Sequence, residues 1–164
     1  MQRIVVMGPS GSGKSLVGAA LAARLGVRFV DGDDLHPRAN VAKMASGVPL
    51  TDDDRAPWLD AVALVLRRDA PIVVACSALR RSYRDRIRAA CADLWFAELV
   101  VETTRLHDRM SRRDHFMPPA LLDSQLATLE PLAVDEIGAR VANDAALESV
   151  VDRIAAVYAA QSLR

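Results

Sequence analysis

Lysine and aromatic residues are scarce in this chain of 164 residues, and neither charge sign predominates. Lys14 and Lys43 are the only lysines, aromatic side chains make up 4% of the residues, and 21 basic groups balance 21 acidic ones. Domains that bind nucleic acids usually carry a basic surface and aromatic side chains that stack on bases, so this composition argues against a nucleic-acid partner. A neutral chain has no general attraction for an anionic membrane either. Any anion that the protein binds must therefore be held by a local site.

Cysteine and long apolar runs are also lacking. Cys76 and Cys91 are too few for a disulfide framework, and their spacing does not match a metal site. The apolar run that ends at Gly8 is too short for a signal peptide or a membrane span, so we expect a cytoplasmic protein without a membrane partner. Because 51% of the residues are hydrophobic, a chain of this length can bury one core, and we expect a single domain over residues 1–164.

Short apolar runs alternate with amphipathic segments along the chain. Strands are predicted over 4–7, 29–30, 72–75, 96–101 and 139–142. Helices are predicted over 14–25, from 51–54 to before 71, over 79–91, 105–113 and 120–129, and around 147–157. Strands that alternate with helices predict an α/β fold, in which a parallel sheet has helices on both faces.

Residues 8–15 lie between the first predicted strand and helix and match the phosphate-binding P-loop pattern. Glycines let successive backbone N–H groups turn toward a phosphate, and the N-terminus of the following helix adds positive charge. Lys14 is suited to the β- and γ-phosphates and Ser15 to Mg²⁺, so ATP and Mg²⁺ are the predicted ligands. The alternative is a glycine-rich turn without a ligand. The predicted nucleotide-binding residues of this loop are Gly8, Ser10, Gly11, Ser12, Gly13, Lys14 and Ser15.

Two acidic residues, Asp31 and Asp33, follow the second predicted strand, at the sheet edge where ligands bind in open parallel sheets. One carboxylate is suited to hold a magnesium-bound water, and the other to accept the proton of an attacking hydroxyl. The alternative is a solvated acidic turn that caps the next helix. His36 follows in a polar segment and is a candidate for the wall of an acceptor pocket, although a lone histidine is more often structural.

Positively charged side chains at two further places are candidates for binding anions. Lys43 and Arg55 flank an acidic run, and either is suited to bind a substrate carboxylate or to form a salt bridge with that run. Arg109 and Arg113 lead into a proline-containing loop, and we expect a lid segment at about 109–119 that excludes water from the γ-phosphate. A guanidinium there also offsets negative charge in the transition state, a role for which Arg113 is preferred. The alternative is a solvated basic helix face.

Six segments of the chain resemble the gluconokinase family. They read DGDDLHPRAN at 31–40, KMASG at 43–47, PLTDDDRAPWL at 49–59, CSALRRSYRD at 76–85, HF at 115–116 and QLATL at 125–129. The resemblance implies a three-layer P-loop kinase fold like that of nucleoside monophosphate kinases. It also implies an ATP:D-gluconate 6-phosphotransferase that functions as a homodimer.

The same resemblance assigns roles to residues on the nucleotide side. Residues 8–15 are implied to hold the triphosphate, and Arg109 and Arg113 to contact the nucleotide and the transferring phosphate. Asp31 and Asp33 are similar to an Asp-x-Asp pair of shikimate kinases, with Asp31 holding the metal through water. Lys14, Asp33 and Arg113 are thus the predicted catalytic residues.

On the acceptor side, the resemblance assigns Asp33 and His36 to the substrate. Arg55 becomes the preferred ligand of the substrate carboxylate, and Lys43, Arg80 and Arg84 are further candidates. Two other functions stay open from the residues alone: a kinase for another small acid or polyol, and a regulatory module that hydrolyses ATP slowly. The chain lacks the Asn-Lys-x-Asp segment with which switch GTPases read guanine, which argues against the commonest form of such a module.

Overall fold

A computed structural model of the protein describes residues 2–91, 93–112, 118 and 120–162. The strands are β1 Arg3–Met7, β2 Arg28–Asp31, β3 Ile72–Ala75, β4 Trp95–Val100 and β5 Gly138–Ala142. The α-helices of the described part are α1 Lys14–Leu25, α2 Arg38–Ala45, α3 Asp52–Arg68, α4 Arg81–Ala90, α5 Thr103–Ser111, α6 Ala120–Thr128 and α7 Leu147–Ser162. A 3₁₀ turn, Gly32–Leu35, follows β2. Among the described helices, none is both long and apolar enough to cross a membrane.

The strands form one parallel sheet in the order β2-β3-β1-β4-β5. Successive side chains of the central strand β1 point to opposite faces of the sheet. Val5 and Met7 pack in one core with residues of α3 and α4, whereas Ile4 and Val6 pack in a second core with residues of α1 and α7. Helices therefore cover both faces, which confirms the predicted three-layer α/β fold.

Capping interactions define where the helices beside the P-loop and the acidic run begin and end. Gly26 ends α1 with a φ of 68°, and its N–H donates to carbonyls of the last turn. At the start of α3, the Thr51 side chain accepts from the Asp54 N–H, and the Asp54 carboxylate accepts from the Thr51 N–H at 2.9 Å. This reciprocal capping box fixes the first turn of α3, which carries Arg55.

The structure contains one described helix, α2, that the sequence pattern does not predict. Its buried residues are Asn40 and Met44, one of which is polar, so the segment shows no apolar periodicity. On α1, Val17 and Leu21 are buried, whereas Leu16 is 59% exposed. The other predicted strands and helices are present within a few residues of their expected bounds.

Candidate active site

The P-loop joins β1 to α1 in a conformation that requires glycine. Gly13 precedes α1 with a φ of 92°, and a Cβ at this position would lie 2.8 Å from Nδ2 of Asn143. Both the backbone conformation and the lack of space disfavour a larger residue. Lys14 is only 9% exposed, and its Nζ donates to the Pro9 carbonyl at 3.2 Å. The loop thus holds this lysine over its own backbone, at the positive end of α1.

Two side chains outside the P-loop donate hydrogen bonds to its backbone carbonyls. Asn143, directly after β5, donates from Nδ2 to the Ser12 carbonyl at 2.7 Å. Arg109 of α5 donates from Nη1 to the Gly11 carbonyl at 2.9 Å. Because the C=O and N–H of a trans peptide point in opposite directions, the Asn143 bond directs the N–H of Gly13 away from β5. An N–H group oriented in this way is available to an anion on the other side of the loop.

Asp31 connects the P-loop to the turn after β2. Its Oδ2 accepts a hydrogen bond from the Ser15 hydroxyl at 2.5 Å, and its Oδ1 accepts from the Asp33 N–H at 3.0 Å. A Cβ on Gly32 would lie 2.4 Å from the Ala75 carbonyl, so this close approach of the ends of β2 and β3 needs glycine. In the described part of the chain, no three His, Cys, Asp or Glu side chains cluster as a metal site. Ser15 and Asp31 nevertheless fit Mg²⁺, which proteins commonly hold by one or two carboxylates together with phosphates and waters.

Two adjoining cavities share Ser10, Lys14 and Asp33. The phosphate cavity follows the P-loop and is lined by Ser10, Gly11, Gly13, Lys14, Ser15, Leu16 and Asp33. The acceptor pocket encloses about 520 Å³ of space, part of which is open to solvent. Its polar wall consists of Ser10, Lys14, Asp33, His36, Arg55, Ser77, Ser124 and Gln125, and its less polar wall of Met44, Pro49, Leu50, Trp58, Leu79 and Leu121. Many polar groups in one small pocket suit a substrate that carries several hydroxyls.

His36 lies in the wall of the acceptor pocket as a neutral ring. It stacks on Trp58 with a centroid separation of 4.2 Å and an interplanar angle of 12°, and Trp58 Nε1 donates to the Gly32 carbonyl at 2.7 Å. On its other edge, His36 Nδ1 lies 3.3 Å from Nδ2 of Asn40. Burial and, secondly, the charge of Arg55 lower the pKa of His36 to about 4. The ring is therefore a neutral hydrogen-bonding group at pH 7, not a cation that attracts the substrate carboxylate.

Arg55 is positioned in the same wall by neighbouring polar groups. Its Nη1 donates to the Leu50 carbonyl at 2.6 Å and to the Tyr83 hydroxyl at 3.2 Å, and the guanidinium carbon lies 5.4 Å from the Tyr83 ring centre. The Tyr83 hydroxyl in turn donates to Asp52 at 2.5 Å. Among the described residues, Nε and Nη2 of Arg55 have no hydrogen-bond partner. The guanidinium therefore keeps donors for a bound carboxylate.

Three other cations that were predicted as substrate ligands lie outside the described pocket walls. Arg84 is 1% exposed and donates to both carboxylate oxygens of Glu136 at 2.7 Å, so its predicted role at the substrate is corrected to one in the core. Lys43 Nζ donates to both carboxylate oxygens of Asp54 at 2.8 Å. This is the salt bridge with the acidic run that was the alternative to binding a substrate carboxylate. Arg80 has a side chain that is 42% exposed.

Some predicted site residues lie outside the described part of the chain, and some residues that position the site are not predicted from the sequence. Arg113, like positions 115 and 116 of the predicted lid, falls outside the described residues, so its role stays a prediction. The contacts of Tyr83 with Arg55 and of Trp58 with His36 are not predicted from the sequence. Asn143 is not predicted at all, although its place directly after β5, at the edge of the sheet where ligands bind, was an available signal.

Comparisons with known proteins agree with this arrangement. A family model described as an AAA domain matches residues 4–132. The chain is 47% identical over 156 residues to a gluconokinase of Gluconobacter oxydans, an alignment that covers 92% of this chain and 88% of that protein. The crystal structure of a gluconokinase from Sinorhizobium meliloti 1021 aligns with a TM-score of 0.90 and 45% identity, over 99% of this chain and 95% of that chain. Shikimate kinase from Aquifex aeolicus aligns with a TM-score of 0.72 at 18% identity, over 99% of each chain, which shows a shared fold alone.

Proposed function

The chain belongs to the gluconokinase family and is a kinase that phosphorylates gluconate, and we propose that it transfers the γ-phosphoryl group of ATP directly to the 6-hydroxyl of D-gluconate. The observation that best supports direct transfer is that the phosphate cavity and the acceptor pocket share Lys14 and Asp33. A nucleotide in one cavity and a hydroxyl in the other would approach each other beside these two side chains. Such a junction suits an in-line displacement, in which the attacking and leaving oxygens lie on opposite sides of phosphorus.

On the nucleotide side, the proposal rests on the geometry of the P-loop. The N–H of Gly13 and the positive end of α1 bind the phosphates, and the Lys14 ammonium leaves the Pro9 carbonyl for phosphate oxygens. Ser15 and Asp31 would hold Mg²⁺, the first directly and the second through water. When bound, this ion neutralises charge on the β- and γ-phosphates.

On the acceptor side, the proposal divides the work among three side chains. Arg55 binds the substrate carboxylate through its remaining donors, and His36 binds another substrate oxygen. Asp33 orients the 6-hydroxyl and takes its proton as the new O6–P bond forms. The bond between the γ-phosphorus and the bridging oxygen breaks in the same step, and ADP leaves with that electron pair. Catalysis then comes mainly from positioning and charge neutralisation.

The substrate assignment is tested by ADP release with Mg·ATP and a panel of acceptors. The panel contains D-gluconate, other sugar acids, a neutral polyol and shikimate, and ³¹P NMR identifies the phosphorylated position of the product. We expect strong stimulation by gluconate and a phosphate monoester at its 6-oxygen. Preference for another acceptor would overturn the substrate, and slow ADP release that no acceptor stimulates would favour a regulatory module.

The role of Asp33 is tested by Asp33→Asn, with Asp34→Asn as the matched control. We expect kcat to fall about 10²- to 10⁴-fold in Asp33→Asn because the general base is lost. Asp34 is the next residue in the same turn but is exposed and outside both described cavity walls, so its variant should retain activity. Circular dichroism verifies that both variants are folded. Near-normal turnover in Asp33→Asn would remove this residue from the mechanism.

Assembly and location are proposed on the family resemblance. We propose a homodimer in the cytoplasm, with Arg113 offsetting charge at the transferring phosphate. Light scattering of the purified protein at several concentrations measures the assembly state, and a monomer at all of them would contradict the dimer.

A further inference from the structure

Asn40 is a buried polar residue in the helix that the sequence pattern does not predict. It is 3% exposed and lies on α2, beside the acceptor pocket and not in its described wall. Its Nδ2 donates to the backbone carbonyl of Asp54 at 2.8 Å and lies 3.3 Å from Nδ1 of His36. One amide nitrogen therefore faces both a backbone carbonyl and an imidazole nitrogen.

The Asp54 carbonyl determines how this amide is oriented. A carbonyl oxygen only accepts hydrogen bonds, so the atom of Asn40 that faces it must be the NH₂ group and not the amide oxygen. The second hydrogen of this NH₂ group is then available to His36 Nδ1. Because Nδ1 has to accept this hydrogen, it carries a lone pair, and the proton of a neutral ring resides on Nε2.

The other contacts of His36 fix its plane. One ring face stacks on Trp58, which is itself held by its bond to the Gly32 carbonyl. In the described part of the structure, Nε2 has no hydrogen-bond partner, and His36 lines the acceptor pocket together with Asp33. With Nδ1 and one face engaged, Nε2 is the polar atom that the ring offers to a ligand.

We propose that Asn40 is a positioning residue that fixes His36 as the Nε2–H tautomer, so that His36 donates a hydrogen bond to a substrate oxygen. This inference rests on the proposed function, because it assumes that the acceptor binds in this pocket. A hydrogen-bond donor fixed at this point of the pocket favours a substrate oxygen that can accept the bond, either the oxygen of a hydroxyl or one of a carboxylate. In this tautomer Nε2, the ring nitrogen left for the substrate, already carries a proton and cannot accept another, which leaves Asp33 as the base.

Nitrogen NMR of ¹⁵N-histidine-labelled protein measures the tautomer directly and without substrate. The chain has three histidines, and the His36 signals are identified by their loss in His36→Gln. At pH 7 we expect a protonated Nε2 and an unprotonated Nδ1. An Nδ1–H tautomer, or a doubly protonated ring, in the folded wild-type protein would overturn the proposal whatever the variants do.

The variant Asn40→Asp tests whether Asn40 is the cause. A carboxylate has no hydrogen to donate to Nδ1 and instead accepts one, so we expect the ring to convert to the Nδ1–H tautomer. The KM for gluconate should then rise about tenfold, by loss of one hydrogen bond to a charged or polar oxygen, while the KM for ATP is unchanged. Since this carboxylate also faces the Asp54 carbonyl and destabilises the fold, Asn40→Ala serves as a second variant, in which the tautomer is no longer held as Nε2–H. An unchanged Nε2–H tautomer in folded Asn40→Asp would overturn the role of Asn40.

Two substitutions of His36 itself test the donor role by rescue. The amide NH₂ of glutamine reaches about as far as Nε2–H, whereas that of asparagine reaches only as far as Nδ1–H. We therefore expect His36→Gln to keep a KM for gluconate within a few-fold of wild type and His36→Asn to raise it about tenfold. Equal KM values in both variants would overturn the donor role. If gluconate is not an acceptor at all, the proposed function fails while the NMR result on the tautomer stands, so the two failures are distinguishable.

Discussion

Replacing Arg84 with methionine tests the assignment of this arginine to the core and not to the substrate. Nε and Nη2 of Arg84 donate to the carboxylate of Glu136 at 2.7 Å each, and Nη1 donates to the carbonyls of Ala78 at 3.1 Å and Glu130 at 3.0 Å. Both charged side chains are almost inaccessible to water. Arg84→Met keeps most of the apolar stem but removes the charge and these hydrogen bonds.

The expected loss is about 3 kcal/mol of unfolding free energy. Removing one partner of a buried ion pair costs about 3–5 kcal/mol, because the other charge stays buried without compensation. The lower end of this range applies here, because Glu136 keeps two other donors. Arg88 donates to its carboxylate at 2.7 Å, and the Ala133 N–H donates to it at 3.0 Å. If the unfolding free energy falls by about 2 kcal/mol per molar urea, the midpoint of unfolding decreases by about 1.5 M.

Urea unfolding followed by circular dichroism measures this shift, and steady-state kinetics without urea measure the KM for gluconate. The matched control is Arg86→Met on the same helix, which removes an exposed ion pair with Asp60 and should shift the midpoint very little. We expect Arg84→Met to lose stability while its folded fraction keeps a normal KM. A midpoint shift as small as that of the control, or a KM for gluconate raised tenfold or more in a stable variant, would refute this reasoning.

Two further predictions concern the acceptor pocket. Arg55→Met should raise the KM for gluconate about ten- to a hundredfold, because a charge-assisted hydrogen bond contributes about 1.5–3 kcal/mol, whereas Arg80→Met should leave it nearly unchanged. Steady-state kinetics check this, and an equal rise in the KM for ATP would argue against carboxylate binding. The second prediction is that lowering the pH from 7 to 4 destabilises the wild type relative to His36→Gln by about 1–2 kcal/mol, allowing for the partial exposure of the ring. Unfolded His36 takes up a proton near pH 6.5 and folded His36 only near 4, so protonation favours the unfolded state in this window. Urea midpoints across this range test the prediction, and parallel profiles for the two proteins would contradict it.

The sheet and the P-loop are predictable from the sequence because their determinants are local. β1, the glycines after it and the first turn of α1 are contiguous, and glycine is required there by backbone angles such as the φ of 92° at Gly13. Buried parallel strands such as β3 read as continuous apolar runs for the same local reason. The acidic pair after β2 also needs only the rule that ligands bind at the carboxyl edge of the sheet.

The roles of individual arginines are not predictable because their partners are distant in sequence. Arg55, Arg80 and Arg84 are equally basic and lie in segments that resemble the same family, yet one lies in the pocket wall, one is exposed and one is in the core. Arg84 is assigned to the core by Glu136, which is 52 positions away along the chain. Asn40 escapes prediction for a related reason, since the carbonyl that orients its amide belongs to Asp54, which is 14 positions away along the chain.

The turn after β2 connects the P-loop to the acceptor pocket, which the sequence pattern treats as separate features. Asp31 accepts from the Ser15 hydroxyl with one carboxylate oxygen and from the Asp33 N–H with the other, so a single carboxylate links the P-loop to the residue shared by both cavities. Gly32 lets this turn approach the end of β3 more closely than any other residue would allow. Because the two cavities meet at Asp33, the position of the turn sets how near a nucleotide and an acceptor come to each other. We therefore expect a change at Asp31 to affect both cavities, and a change at a residue that lines the acceptor pocket alone, such as Arg55, to affect one.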